Sequence, residues 1–383
     1  MTAPALDPET VRPHYARFLR PGRVLLTGHS HQAWPDVARE GVLESFDDAA
    51  EHVDDKWSRA FERADRVRQG VVERIGGRPD EIALGSSTHE LGVRFLSALP
   101  LARRPRLVTT SGEFHSLDRQ LRRLSEEGVE VVRVPAAPLR TLAERLAGAV
   151  DERTAALLCS TVLFETSAIV ADLPRAVSAA QARGAQVLLD AYHAFNVVPF
   201  SVADFSEPVF VTAGGYKYAQ WGEGVCFLRV PPEPELRPVI TGWFSDFARL
   251  DAPRGAEVSY GERPCDRFAG STYDPASHYR AARVIELFRE QGFSVARLRA
   301  TSLRQTRRIL SGLRGMEVLT PTDDHARGGF VTLRDERARQ WVSALRGQRI
   351  WVDARADRLR LGPAPYVTDD EIDSALMAIA ALR

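Results

Sequence analysis

The chain has 383 residues, with 51 basic side chains against 51 acidic ones and no formal net charge. That balance excludes the basic surplus that nucleic acids and anionic membranes require of a partner. Hydrophobic content of 44% and charged content of 27% are those of a soluble globular protein, and the length suggests two or three domains.

No apolar h-region lies between Met1 and Pro13, and the most apolar stretch, Ala155 to Phe164, is too short to span a bilayer. A cytoplasmic protein is expected. Cys159 and Cys226 fall in strand-like runs and read as buried free thiols, and Cys265 leaves no disulfide framework.

In chain order, Trp34 to Ile75 reads as one long amphipathic helix, closed by Gly76-Gly77-Arg78-Pro79. Strands are predicted at Glu81–Leu84, Arg106–Thr110, Val129–Val134, Ala155–Ser160, Gln186–Asp190, Pro208–Thr212 and Gly224–Val230. Helices ending at Leu99, and over 117–127, 139–149 and 174–183, separate the earlier strands. Alternation of this kind means a largely parallel sheet covered on both faces. Beyond the Pro-rich stretch 231–238, helices are predicted over 276–291 and 295–313. Short strands follow near Val318 and over 329–333, 350–352 and 359–361. A last helix opens at Thr368, where Thr368 and Glu371 fit a capping box.

Lysine occurs only at Lys56 and Lys217; every other cation is arginine. Arginine can replace lysine as a charge, but not as an amine that sheds its proton and forms a covalent bond. Lys56 follows Asp54-Asp55 and reads as a surface ion pair. Lys217 sits in a Gly-rich, aromatic-flanked loop after a buried strand, a setting for a desolvated amine that forms a Schiff base. Asp190 ends a strand, pointing into the crevice where α/β sheets bind ligands. Gly85-Ser86-Ser87-Thr88-His89, between a strand and a helix, can hold an anion on free backbone N–H groups. Phe114, after another strand, could stack on a flat ring. His29 and His31 lack a third metal ligand, and no metal is expected.

A phosphate loop, a stacking aromatic, a strand-end Asp and then a Lys, in that order, resemble fold-type I pyridoxal phosphate (PLP) enzymes. The chain is most similar to the kynureninase branch of the class V aminotransferase superfamily, through Asp190-Ala191-Tyr192-His193, Gly215-Tyr216-Lys217-Tyr218 and Thr241-Gly242-Trp243-Phe244.

The resemblance implies a large PLP-binding α/β domain over 41–260 with a mainly parallel seven-stranded sheet. It also implies a smaller C-terminal α+β domain over 261–383, with residues 1–40 packed on it. Lys217 would carry the cofactor and shuttle protons, Asp190 would pair with the ring nitrogen with His193 beside it, and Phe114 would stack on the ring. Ser87, Thr88 and Tyr216 would bind the phosphate. Trp243 and Thr272 would arrive from a second subunit of a homodimer, and Arg360 would clamp a substrate α-carboxylate.

Three positions depart from the branch. Leu117 stands where a further Asp is usual, with Asp118 next to it. Asp246 replaces a His, and Thr272 replaces an Asn near the substrate ring. Kynureninase-type cleavage of an L-α-amino acid is the expected reaction. Another class V reaction (C–S lysis, transamination or epimerisation) is the alternative, followed by a non-catalytic PLP-fold module.

Overall fold

The computed structural model describes residues 3–232, 235–253 and 255–383. The N-terminal segment carries α1 (Pro8–Val11) and β1 (Val24–Leu25), followed by α2 (Val37–His52) and α3 (Lys56–Ile75). The single helix predicted over 34–75 is therefore two. Val53 breaks it, with φ of +50°, a backbone state that β-branched side chains rarely adopt. Periodicity does not register the break because both helices bury a face against the same later helix.

The central sheet is built from β2 (Ile82–Gly85), β3 (Arg106–Thr110), β4 (Glu130–Val134), β5 (Thr154–Ser160), β6 (Gln186–Asp190), β7 (Phe210–Gly214) and β8 (Cys226–Arg229). Helices α4 (Thr88–Ala98), α5 (His115–Glu126), α6 (Leu142–Ala149) and α7 (Leu173–Ala182) alternate with its first five strands. The spatial order is β2-β8-β7-β6-β5-β3-β4. Only β8 runs antiparallel to its neighbours, β2 and β7; the remaining pairs are parallel. Every residue of β5 is buried, as its unbroken apolar run requires of a central parallel strand. Strand ends differ from the sequence reading by no more than boundaries usually drift.

The second half holds α8 (Ala276–Glu290), α9 (Val295–Gly312), β9 (Glu317–Val318), β10 (Val331–Arg334), α10 (Ala338–Gly347), β11 (Ile350–Trp351), β12 (Asp353–Arg355), β13 (Arg358–Leu361) and α11 (Asp369–Ala380). Of these, α10 and β12 are not among the predicted elements. Strands β12-β13-β10-β9 form an antiparallel sheet, while β1 pairs in parallel with β11 and so ties the N-terminal segment to this half.

Helix α8 packs on α2 and α3. A Cβ on Gly41 would lie 2.6 Å from the Tyr279 carbonyl oxygen, and one on Gly70 equally close to Ile285, so glycine sets the approach. The Thr368–Glu371 capping box is present in both directions, at 3.2 and 3.0 Å. Among the described residues no helix is long and apolar enough to cross a membrane.

Candidate active site

The C-terminal ends of β3, β6 and β7 and the N-terminus of α4 enclose a cavity of about 270 Å³. Ser87, Thr88, Phe114, Asp190, His193, Tyr216 and Lys217 all line it, so the structure brings together the predicted residues of the central group. Such a crevice is where parallel sheets of this kind bind ligands, because loops diverge from the strand ends there.

Lys217 is delivered by the turn after β7. Gly214 and Gly215 begin that turn in space with no room for a side chain: added Cβ atoms would meet Cys226 Sγ at 2.4 Å and Trp221 Cβ at 2.7 Å. Lys217 is buried, with its Nζ 3.1 Å from His193 Nε2. The same nitrogen lies 4.3 Å from the Tyr192 ring centre and 5.1 Å from that of Phe114. Burial pushes the ammonium down to about 7, against the opposing pull of Asp190. A neutral amine is therefore far more accessible near neutral pH than in an exposed lysine.

Asp190 closes β6, beside Ser160 of β5 and Thr212 of β7. Its Oδ1 accepts the Tyr192 N–H at 2.8 Å. Burial raises its carboxyl, while that hydrogen bond and Lys217 pull it back. Burial, and then the charge of Lys217, hold His193 well below the usual histidine range.

Ser87 is the N-cap of α4; its Oγ accepts the Glu90 N–H at 3.1 Å. The N–H groups of Thr88 and His89 have no partner inside the helix and sit at the positive end of its dipole. Ser86 is committed elsewhere, since the Glu90 carboxylate accepts its N–H at 2.9 Å and its hydroxyl at 2.6 Å. Tyr216 stacks on His31 with centroids 5.2 Å apart.

Three predicted residues lie outside this cavity. Trp243 is 45% exposed and packs on Phe244 and Phe247. Thr272 lines a neighbouring cavity of about 700 Å³ that shares Ser86, Glu223 and Gly224 with the first. Arg360 is buried, donating from Nε to Asp353 Oδ1 at 2.9 Å, from Nη2 to Asp353 Oδ2, and from Nη1 to the Phe164 carbonyl at 3.0 Å. The edge expected to fork a substrate carboxylate thus already holds a carboxylate of the chain itself.

Of the departing positions, Leu117 lines the central cavity. Asp118 instead pairs with Arg122 and Arg133. Asp246 accepts the Ser259 hydroxyl.

Sequence reasoning missed Glu113. This buried carboxyl accepts the Thr110 hydroxyl, the Ser160 hydroxyl at 2.6 Å and the Ser160 N–H at 3.2 Å, joining the ends of β3 and β5. Burial pushes it up to about 7. Its signal was a charged residue three positions after Thr110 ends its strand, next to the proposed stacking aromatic. His29 and Asp353 were missed as a pair: His29 Nε2 lies 2.8 Å from Asp353 Oδ1, although 324 positions separate them. No local pattern reveals such a pair.

The chain is also similar to known proteins. A family model described as the kynureninase C-terminal domain matches residues 297–379. The chain is 27% identical over 384 residues to a kynureninase of Bacillus cereus strain ATCC 14579, covering 93% of this chain and 87% of that one. It is 25% identical over 342 residues to an uncharacterized aminotransferase, YcbU, of Bacillus subtilis strain 168, covering 89% of each. The chain is thus similar to the class V aminotransferase superfamily, and within it to the kynureninases.

This kynureninase-like chain also has the fold of that superfamily. A cystine C–S lyase, C-DES, solved with cysteine persulfide, superposes with a TM-score of 0.80 at 18% identity, over 94% of this chain and 98% of that one. A cysteine desulfurase from Thermococcus onnurineus NA1 superposes with the same score at 17% identity, over 100% and 99%. The superfamily depends on PLP, and the site's chemistry fits that group. A desolvated amine faces the cavity, a carboxylate ends the strand beside it, and N–H groups without a partner in the helix open α4 at its edge.

Proposed function

We propose that this kynureninase-like protein is a PLP-dependent enzyme acting on an L-α-amino acid, with hydrolytic Cβ–Cγ cleavage of the kynureninase type as its reaction. The observation that carries the reading is the buried Lys217 amine in a cavity with Asp190 and the α4 N-terminus. Bound there, PLP supplies an electron sink for negative charge developing at a substrate α-carbon.

The chain's own residues divide the remaining work. Lys217 would hold the cofactor through Nζ, and the same nitrogen would carry the substrate α-proton. A neutral His193, 3.1 Å from that nitrogen, would orient it. Asp190 would hold a proton on the ring nitrogen, and Phe114 would cover one face of the ring. The N–H groups of Thr88 and His89, with Ser87 and Tyr216 nearby, would take the phosphate.

Trp243 and Thr272 would complete the site across a homodimer. The exposed Val239, Ile240, Trp243, Phe247 and Leu250 support a covered apolar face there. Sedimentation or light scattering tests that state.

C–S lysis is the second reading. Asp246 and Thr272, where the kynureninase branch carries His and Asn, favour it, because both departures touch substrate recognition. Cysteine desulfuration through a mobile thiol is disfavoured, since Cys159, Cys226 and Cys265 are all buried. PLP-loaded protein assayed with kynurenine, 3-hydroxykynurenine and cystine separates the readings. Anthranilate-type product supports the first, and thiol or persulfide release supports the second. No turnover of any of the three by cofactor-loaded protein rejects both.

A further inference from the structure

Arg360 does not stand alone behind the site. In the antiparallel ladder Asp353 of β12 lies directly opposite Arg360 of β13, so backbone register brings the carboxylate to the guanidinium. Asp353 Oδ1 receives Arg360 Nε at 2.9 Å and meets His29 Nε2 at 2.8 Å, and its Oδ2 receives Arg360 Nη2. His29 is fully buried and belongs to the N-terminal segment. Its ring stacks on Phe330 with centroids 4.8 Å apart, and Phe330 in turn lies 5.7 Å from the ring of His193, which contacts Lys217.

The room for His29 is built in. A Cβ on Gly362 would lie 2.2 Å from His29 Nδ1, and Gly28 N–H donates to the Gly362 carbonyl at 2.8 Å. Burial keeps the imidazole neutral, so it holds Asp353 as an N–H donor and contributes no charge of its own. With Asp353 on one edge and the Phe164 carbonyl on Nη1, the guanidinium cannot turn.

We propose that His29 and Asp353 are positioning residues for Arg360. They fix its guanidinium so that the α-carboxylate of an amino-acid substrate binds the remaining Nη1 and Nη2 hydrogens, with Asp353 left in place. Asp353 serves as a permanent counter-ion, and the N-terminal segment becomes part of the substrate-selecting apparatus through a single histidine. The proposal rests on the function proposed above and on the α-carboxylate role that the resemblance gives Arg360.

The test uses PLP-loaded protein and measures the affinity of an L-α-amino acid against that of the matching decarboxylated amine, read from changes in the cofactor's visible absorbance. Wild type should prefer the amino acid. His29→Ala and Asp353→Asn should each lose about ten-fold or more of that preference, while amine affinity stays within about two-fold. His29→Gln, which retains an amide N–H donor, should restore most of it. Circular dichroism of each variant establishes folding, and His29→Gln carries the test should His29→Ala unfold.

An unchanged preference in folded His29→Ala and Asp353→Asn overturns the proposal. So does a wild type that shows the cofactor band but prefers neither ligand, a result that leaves the cofactor reading intact. Absence of any cofactor band in wild type rejects the proposed function itself and this proposal with it.

Discussion

Lys217 Nζ lies 3.1 Å from His193 Nε2, inside a cavity where neither side chain is favoured in its charged form. The consequence is kinetic. Only the neutral amine attacks a carbonyl, so PLP uptake by the apoprotein should accelerate as pH rises through about 7 and then level off. Stopped-flow absorbance checks this. Acceleration that continues into the ordinary lysine range near 10.5 would contradict the burial argument. Lys217→Ala should take up PLP without forming the visible band.

The same shift has a stability consequence. Folding lowers the Lys217 pKa from 10.5 to about 7, so between those values the unfolded chain binds the extra proton and stability rises with pH. The penalty is complete below about 7 and vanishes above 10.5. Apoprotein Lys217→Met should melt above wild type at neutral pH, with the gap narrowing as pH climbs. A constant gap would show that the amine is not desolvated.

Glu113 shifts in the opposite direction. Its folded pKa of about 7 lies above the usual 4.5, so its contribution is present at pH below 4.5 and is lost as pH rises through about 7. Glu113→Gln mimics the protonated acid and should match or exceed wild-type stability at pH above 7. Glu113→Ala leaves the Thr110 and Ser160 donors unpaired and should cost about 1–3 kcal/mol. Thermal melts across pH distinguish the two.

Ser87 and Thr88 should separate although they adjoin. Ser87→Ala removes the N-cap of α4 and should cost about 1 kcal/mol in the apoprotein before any effect on PLP affinity. Thr88→Ala should leave apoprotein stability nearly unchanged and weaken PLP retention. Dialysis against phosphate, followed by cofactor measurement, checks the second effect.

Val53 is 66% exposed and held at φ +50°, so its side chain contributes little packing to offset the strained backbone. Val53→Gly should raise stability by up to about 1 kcal/mol, measured by denaturant unfolding. A loss of stability would mean that the turn is held by contacts of the valine itself.

The central sheet was legible because strands buried on both faces must be apolar throughout, as β5 is, and the helices between them carry their own period. Lys217 and Asp190 were legible because they follow or end such strands, where chemistry-bearing residues stand out from an apolar background. Glu113 was harder to find, since a carboxyl after a strand looks solvated until Ser160, 47 positions on, is seen to bond it. Leu117 is conspicuous only against the resemblance, and its place in the cavity wall came from the fold.

The sequence by itself determined the alternation of strands and helices and the identity of the reactive amine, because hydrophobic period and lysine's scarcity are both written locally. It could not tell that Val53 divides one amphipathic run into two helices, since α8 gives both the same buried face. Nor could it tell that Arg360 is already held by Asp353 and His29. Their meeting depends on a strand register and on β1 joining β11. Contacts between residues hundreds of positions apart leave no local period, so only the tertiary structure decided them.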